Sequence, residues 1–193
     1  MIRAVPRLAT LVVLGAVAVM IALGVWQLER RGEKADMLAR YAAAASDPGI
    51  VAWPADEAKA RALLYRRARL DCSEVKEISA IAGQSINGQS GLAITAQCVA
   101  QGGTAVLVAL GWSQQPVIPE WTGGAVTGVI APGPRLVADP PVAGLEANAL
   151  PDPADIPDNH LAYAVQWFFF AVTALAIYAI ALRKRLAGTR PER

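Results

Sequence analysis

The chain holds a single histidine, His160, placed after Asp158 and Asn159 at the head of a long apolar run. At helical spacing His160, Tyr163, Ala164, Trp167 and Ala171 share one face, so an imidazole, two aromatic rings and two small residues form one stripe. Tyr163 and Trp167 alone read as an aromatic belt at a membrane–water interface. With a histidine among them, two roles stay open: a hydrogen bond at the interface, which the spacing favours, and axial ligation of a porphyrin. A porphyrin asks the protein for only one or two ligands and an apolar wall. Zinc and copper ask for more than one histidine, three methionines and two cysteines outside C-x₂₋₄-C spacing can supply. A hydrolytic triad would have to use His160 with Asp152, Asp155 or Asp158. No G-x-S-x-G elbow presents a nucleophile, and no G-x-x-x-x-G-K-[ST] loop would cradle a phosphate, so no enzyme signature is found.

A second cluster, Gly24, Trp26, Gln27, Leu28, Arg30 and Lys34, ends another apolar run. It reads as an aromatic and basic membrane anchor in which Gly24 permits close helix packing and Gln27 can hydrogen-bond across to a neighbouring helix. Cys72 and Cys98 lie between the two clusters. Their spacing suits one disulfide or two buried thiols equally.

The elements that must position these residues are two apolar helices. Residues 8–28 and 161–182 contain no charge, and each stretch is long enough to cross roughly 30 Å of hydrocarbon. The first run exceeds the usual 7–15-residue core of a signal peptide, and its A-x-A (Ala16-Val17-Ala18) lies inside the run, which favours a retained anchor. After Leu182 come Arg183, Lys184, Arg185, Arg190 and Arg193, whereas the twenty residues before Leu161 contain no Lys or Arg. This asymmetry predicts a cytoplasmic C-terminus. Two spans then put residues 1–7 on the same side, with Arg3 and Arg7, and leave 29–160 as an extracytoplasmic, periplasmic domain between the spans and 183–193 as a basic cytoplasmic tail. The loop from Glu29 to His160 has 11 basic and 15 acidic residues. That balance disfavours nucleic acid, while the basic ends suit anionic lipid. The lack of an Arg- and Ser-rich leader favours a bacterial plasma (inner) membrane.

Within the loop, the first helix is expected to continue to Pro48-Gly49, and a short helix to follow Pro54 over residues 55–64. Strands are predicted over 65–73, 75–82, 91–100, 104–112 and 125–131, with turns at Asn87-Gly88, Gly102-Gly103 and Gly123-Gly124. Seven prolines in residues 132–157 predict an extended, irregular return to the second helix. The fold class is therefore an α+β membrane protein: two transmembrane helices flanking a small antiparallel β-barrel-like domain with one or two short helices.

Both clusters resemble the signature ends of the Surfeit-locus-one (Surf/Shy) family of cytochrome c oxidase assembly factors. The family's G-x-W-Q-x-x-R-x-x-x-K pattern is matched by Gly24, Trp26, Gln27, Arg30 and Lys34. Its H-L-x-Y-A-x-x-W-F pattern is matched by His160, Leu161, Tyr163, Ala164, Trp167 and Phe168. Tyr65-Arg66-Arg67 resembles its Y-R-R, and Val106-Leu107-Val108 with Gly111-Trp112 resembles its V-L-V-N-R-G-W. Ala109-Leu110 stands where Asn-Arg is usual, and Asp158 where a second Asn is common. The resemblance implies a non-enzymatic carrier of haem A that serves the oxidase catalytic subunit and haem A synthase. His160 would be the axial ligand, with Tyr163 and Trp167 beside the ring and Trp26, Gln27 and Arg30 on the other wall or at a propionate. The alternative is a cofactor-free membrane scaffold that holds oxidase subunits during assembly.

Overall fold

The structure is a computed structural model that describes residues 6–187. Arg3, Arg190 and Arg193, used above for the terminal charges, lie outside the described residues. The chain divides into two compact units: residues 6–37 with 157–187, and Leu38–Ile156.

The first unit is helical. Helix α1 runs Arg7–Ser46, helix α3 (after a short α2 described below) runs His160–Ala187, and both contain stretches long and apolar enough to cross a membrane. On α1 the covered or half-covered residues include Thr10, Val13, Val17, Met20, Gly24, Gln27 and Lys34; on α3 they include His160, Ala164, Trp167, Ala171, Ala174 and Tyr178. From Thr10 to Gln27 and from His160 to Tyr178 the steps alternate between three and four residues, the heptad period by which two helices keep one seam in contact. Small residues occupy the middle of this seam. A Cβ built on Gly24 would lie 2.6 Å from Phe168 Cε1, so only glycine admits the ring there. At one end the Thr10 and Tyr178 hydroxyls are hydrogen-bonded, and at the other Gln27 meets His160.

The second unit begins with the last turns of α1 and contains strands β1 (Ile50–Ala52), β2 (Arg67–Gln84), β3 (Ser90–Ala100), β4 (Ala105–Ser113), β5 (Gly124–Ala131) and β6 (Arg135–Ala138), with helix α2 (Glu57–Ala62) between β1 and β2. Asp56 caps α2 by accepting the Lys59 N–H at 2.7 Å, and its carboxyl is held below its ordinary value chiefly by that bond. Pairing runs β1–β2–β3–β4–β6–β5, and β5 pairs back onto β2, so the circuit of ladders from β2 to β5 closes. Alternation along β2 turns Ala68, Leu70 and Cys72 inward and Arg67, Arg69 and Asp71 outward. Leu70, Ile94, Val108, Leu110, Val126, Ile130 and Leu136 fill the core that results.

Three expectations change. The first two predicted strands are one strand, β2, bent by irregularities between Cys72 and Glu74 and between Val75 and Glu77. Gly123-Gly124 is no hairpin turn; it leads a long connection into β5, with φ of 114° and 120°. The proline-rich return contains β6, which pairs in parallel with β4 over Leu107–Ala109, and a 3-10 turn at Pro153–Asp155. β1, also parallel to its neighbour, lies between Gly49 and Pro54, where no element is predicted.

Candidate functional site

α3 starts at His160, whose backbone N–H is accepted by the Asp158 carboxylate at 3.2 Å. An aspartate here serves the exposed N–H groups and the positive end of the helix as an asparagine would, with charge added. On the facing helix, Gln27 and Lys34 stand seven residues apart on the seam. Gln27 reaches α3 and Lys34 the segment before it: His160 Nδ1 lies 2.8 Å from Gln27 Oε1, and Lys34 Nζ donates to the Pro157 carbonyl. Since the amide oxygen only accepts, Nδ1 is the donor in this pair, and in a neutral ring the lone pair is then on Nε2. A hydrogen bond to the remote imidazole nitrogen is how ligating histidines are oriented and made more basic.

Gln27, Lys34, Pro157, Asn159, His160 and Tyr163 line a cavity of about 270 Å³. Of the residues singled out from the sequence, His160, Gln27 and Tyr163 therefore meet. Trp26, Arg30 and Trp167 lie outside the cavity. Trp26 and Arg30 sit one turn apart on a neighbouring stripe of α1, with the Arg30 guanidinium 5.7 Å from the indole centroid and 2.6 Å from the Glu33 carboxylate. Trp167 packs edge-on against Phe170, ring centroids 6.1 Å apart. Lys34, a member of the second cluster and of its matched pattern, was given no role in the site, and its seven-residue step from Gln27 is the signal that places it there; Asn159 precedes the helix and carries no periodic signal.

The other matched motifs are built into the second unit. Arg66 pairs with Asp47 at 2.9 Å and Arg67 with Asp139 at 2.7 Å, so Tyr65-Arg66-Arg67 ties β2 to the end of α1 and to the turn after β6. Trp112 lies over Gly91, where a Cβ would come within 2.5 Å of the indole. Leu110 is fully buried in the main core, and Ala109 packs with Ala131 and Val137, so the residues standing for Asn-Arg are packing residues here. Cys72 and Cys98 form a disulfide with Cα atoms 5.4 Å apart. Among the described residues no group of His, Cys, Asp and Glu could hold a metal ion by itself. A porphyrin iron, which needs only the free Nε2 of His160 from the protein, is compatible with that donor set.

These features define a protein with a β-rich unit inserted between two antiparallel apolar helices, whose matching signature residues meet where the helices adjoin the insertion in sequence. The chain belongs to the SURF1 family, whose model matches residues 14–172, a family of cytochrome oxidase assembly factors rather than enzymes. No curated protein matches the sequence.

Proposed function

We propose that this chain is a membrane-anchored factor that holds haem A and passes it to the catalytic subunit of cytochrome c oxidase, receiving it from haem A synthase. The observation that carries this reading is the contact between His160 Nδ1 and Gln27 Oε1, which fixes the imidazole and leaves Nε2 free. His160 would hold the iron, and Tyr163 and Asn159 would flank it. Lys34, whose ammonium lines the same cavity, would neutralise a propionate. Bound haem would supply an open iron coordination position; the protein's part is to orient and shield it.

In this reading α1 and α3 span the bacterial inner membrane with both termini cytoplasmic. The β-unit then acts as a small periplasmic barrel, an oxidising location that suits the Cys72–Cys98 disulfide. Arg183, Lys184 and Arg185 would meet anionic lipid. Full-length protein purified from cells that make haem A is expected to show a Soret band that His160→Ala removes. An unchanged haem content in His160→Ala sinks the ligand assignment. A colourless wild-type protein that still co-purifies with oxidase subunits supports the cofactor-free scaffold instead.

A further inference from the structure

Strand β2 is longer than its partners on one side. Its first third, Arg67–Cys72, pairs with β5, but over Ser73–Gly83 only the β3 side carries a ladder. The register tells which backbone groups this leaves. The Ser85 N–H donates to Gln89, toward β3, while the Gln84 carbonyl takes the N–H of Ala149 on the opposite side. Counting back in steps of two, Ile78, Ala80 and Ala82 turn their N–H and C=O groups away from β3. None of these groups has a backbone partner among the described residues.

Such an edge is usually blunted by proline, by an outward-facing charge or by a covering loop. Residues 78–83 contain neither proline nor charge, and Ser79 to Ala82 are exposed with Ile81 at 45%. The bare edge runs between two depressions. One, of about 460 Å³, places Val75 and Ile78 of β2 opposite Ile118 and Trp121, with Ile118 80% exposed. The other, of about 230 Å³, is walled by residues 81–84 and includes Arg135 and Asn148. Asn148 is only 4% exposed, yet neither its Oδ1 nor its Nδ2 has a partner. Arg135 donates to the Pro132 carbonyl and pairs with no carboxylate among the described residues.

We propose that the edge of β2 over Ile78–Gly83 is a docking site for an extended segment of a partner protein that adds as a strand. The segment would place an apolar side chain by Ile118 and an acidic one by Arg135 and Asn148. Main-chain bonds to Ile78, Ala80 and Ala82 supply affinity, and the two depressions select side chains. The acidic requirement follows from the Arg135 guanidinium, which has no carboxylate partner among the described residues, and the Asn148 Nδ2 amide, two donors that a carboxylate can accept from. This inference does not depend on His160 or on haem.

The test uses the full chain in detergent with two short extended peptides of alternating valine and threonine, identical except that one ends in glutamate and the other in lysine. Amide hydrogen exchange is followed residue by residue. The glutamate peptide is expected to protect the Ile78, Ala80 and Ala82 amides and to bind about fivefold or more tightly than the lysine peptide. Ala80→Pro, which removes an outward N–H without taking a bond from β3, abolishes protection. Arg135→Glu reverses the preference between the peptides, which reads the site even where Ala80→Pro disturbs the strand. Protection by neither peptide, or equal protection by both with no response to Arg135→Glu, overturns the proposal. Concentration-dependent protection without peptide also overturns it, in favour of pairing between two copies.

Discussion

His160 Nδ1 and Gln27 Oε1 lie 2.8 Å apart although 133 residues separate them in the chain. The contact is the last between the two helices along a heptad seam whose opposite end is the Thr10–Tyr178 hydrogen bond. The imidazole is thus positioned from the other helix, and what disturbs the seam disturbs the histidine.

Gln27→Leu removes the acceptor while keeping approximate volume. In the carrier reading the ring loses its orientation, and haem affinity is expected to fall about 10–100-fold, the usual effect of losing such an outer partner. Gln27→Glu keeps an acceptor and adds charge, so binding is retained with a shifted Soret maximum. Haem titration of both variants is the check. Equal affinity in Gln27→Leu and wild type would show that the amide does not position the ligand.

Gly24→Val tests the seam itself. Its Cβ alone would lie 2.6 Å from the Phe168 ring, and overpacking of this kind costs about 1–3 kcal/mol. Cysteine pairs placed across α1 and α3 are expected to cross-link less efficiently in Gly24→Val, with recovery when Phe168→Ala makes room. Failure of the second substitution to recover the cross-link would mean that the glycine is needed for another reason.

The α3 side of the seam, His160, Ala164, Trp167 and Ala171, was legible because a stripe repeating every three and four residues needs no knowledge of its partner. Which motif residues face that partner was not. Trp26, Gln27 and Arg30 are adjacent in the motif, yet only Gln27 lies in phase with the seam, and that phase depends on where α3 packs. In the β-unit the long strands followed from alternation and β-branched content. Strands β1 and β6 escaped because three or four residues beside proline and glycine carry no period of their own. Their parallel partners, Arg67–Arg69 and Leu107–Ala109, are supplied by distant parts of the chain. The merging of two expected strands into β2 has the same origin: bulges bend a ladder without ending it.

The Cys72–Cys98 disulfide crosses between β2 and β3, with both residues buried at 4% and 1% exposure. Closing a loop over a 26-residue separation contributes roughly 3 kcal/mol in the chain-entropy model. The double replacement Cys72→Ala, Cys98→Ala is expected to lose about that much in chemical denaturation of the full chain. A reductant should lower wild-type stability and leave the double variant unchanged. Two free thiols in mass spectrometry of unreduced protein would refute the bond directly.

Tyr65 offers a test that depends on pH. It stands at φ 68°, a left-handed conformation that a bulky side chain seldom adopts, with its N–H donated to the Ile130 carbonyl at 2.8 Å. Tyr65 is 2% exposed, and its ring lies 4.9 Å from that of Tyr41 on the end of α1. Burial, reinforced by Tyr41, Asp152 and Asp155, pushes the phenol above its ordinary value of 10.0. The folded state therefore holds the phenolic proton more tightly than the unfolded chain does. The contribution is fully present below about pH 10 and is lost as pH rises from there through the folded value. Tyr65→Phe keeps the ring contact with Tyr41 and removes the proton, so its stability should respond less to pH above 10 than that of wild type. Denaturation measured at a series of alkaline pH values, with tyrosinate absorbance followed in parallel, reads both effects. Identical alkaline slopes for the two proteins would show that Tyr65 ionises as freely folded as unfolded.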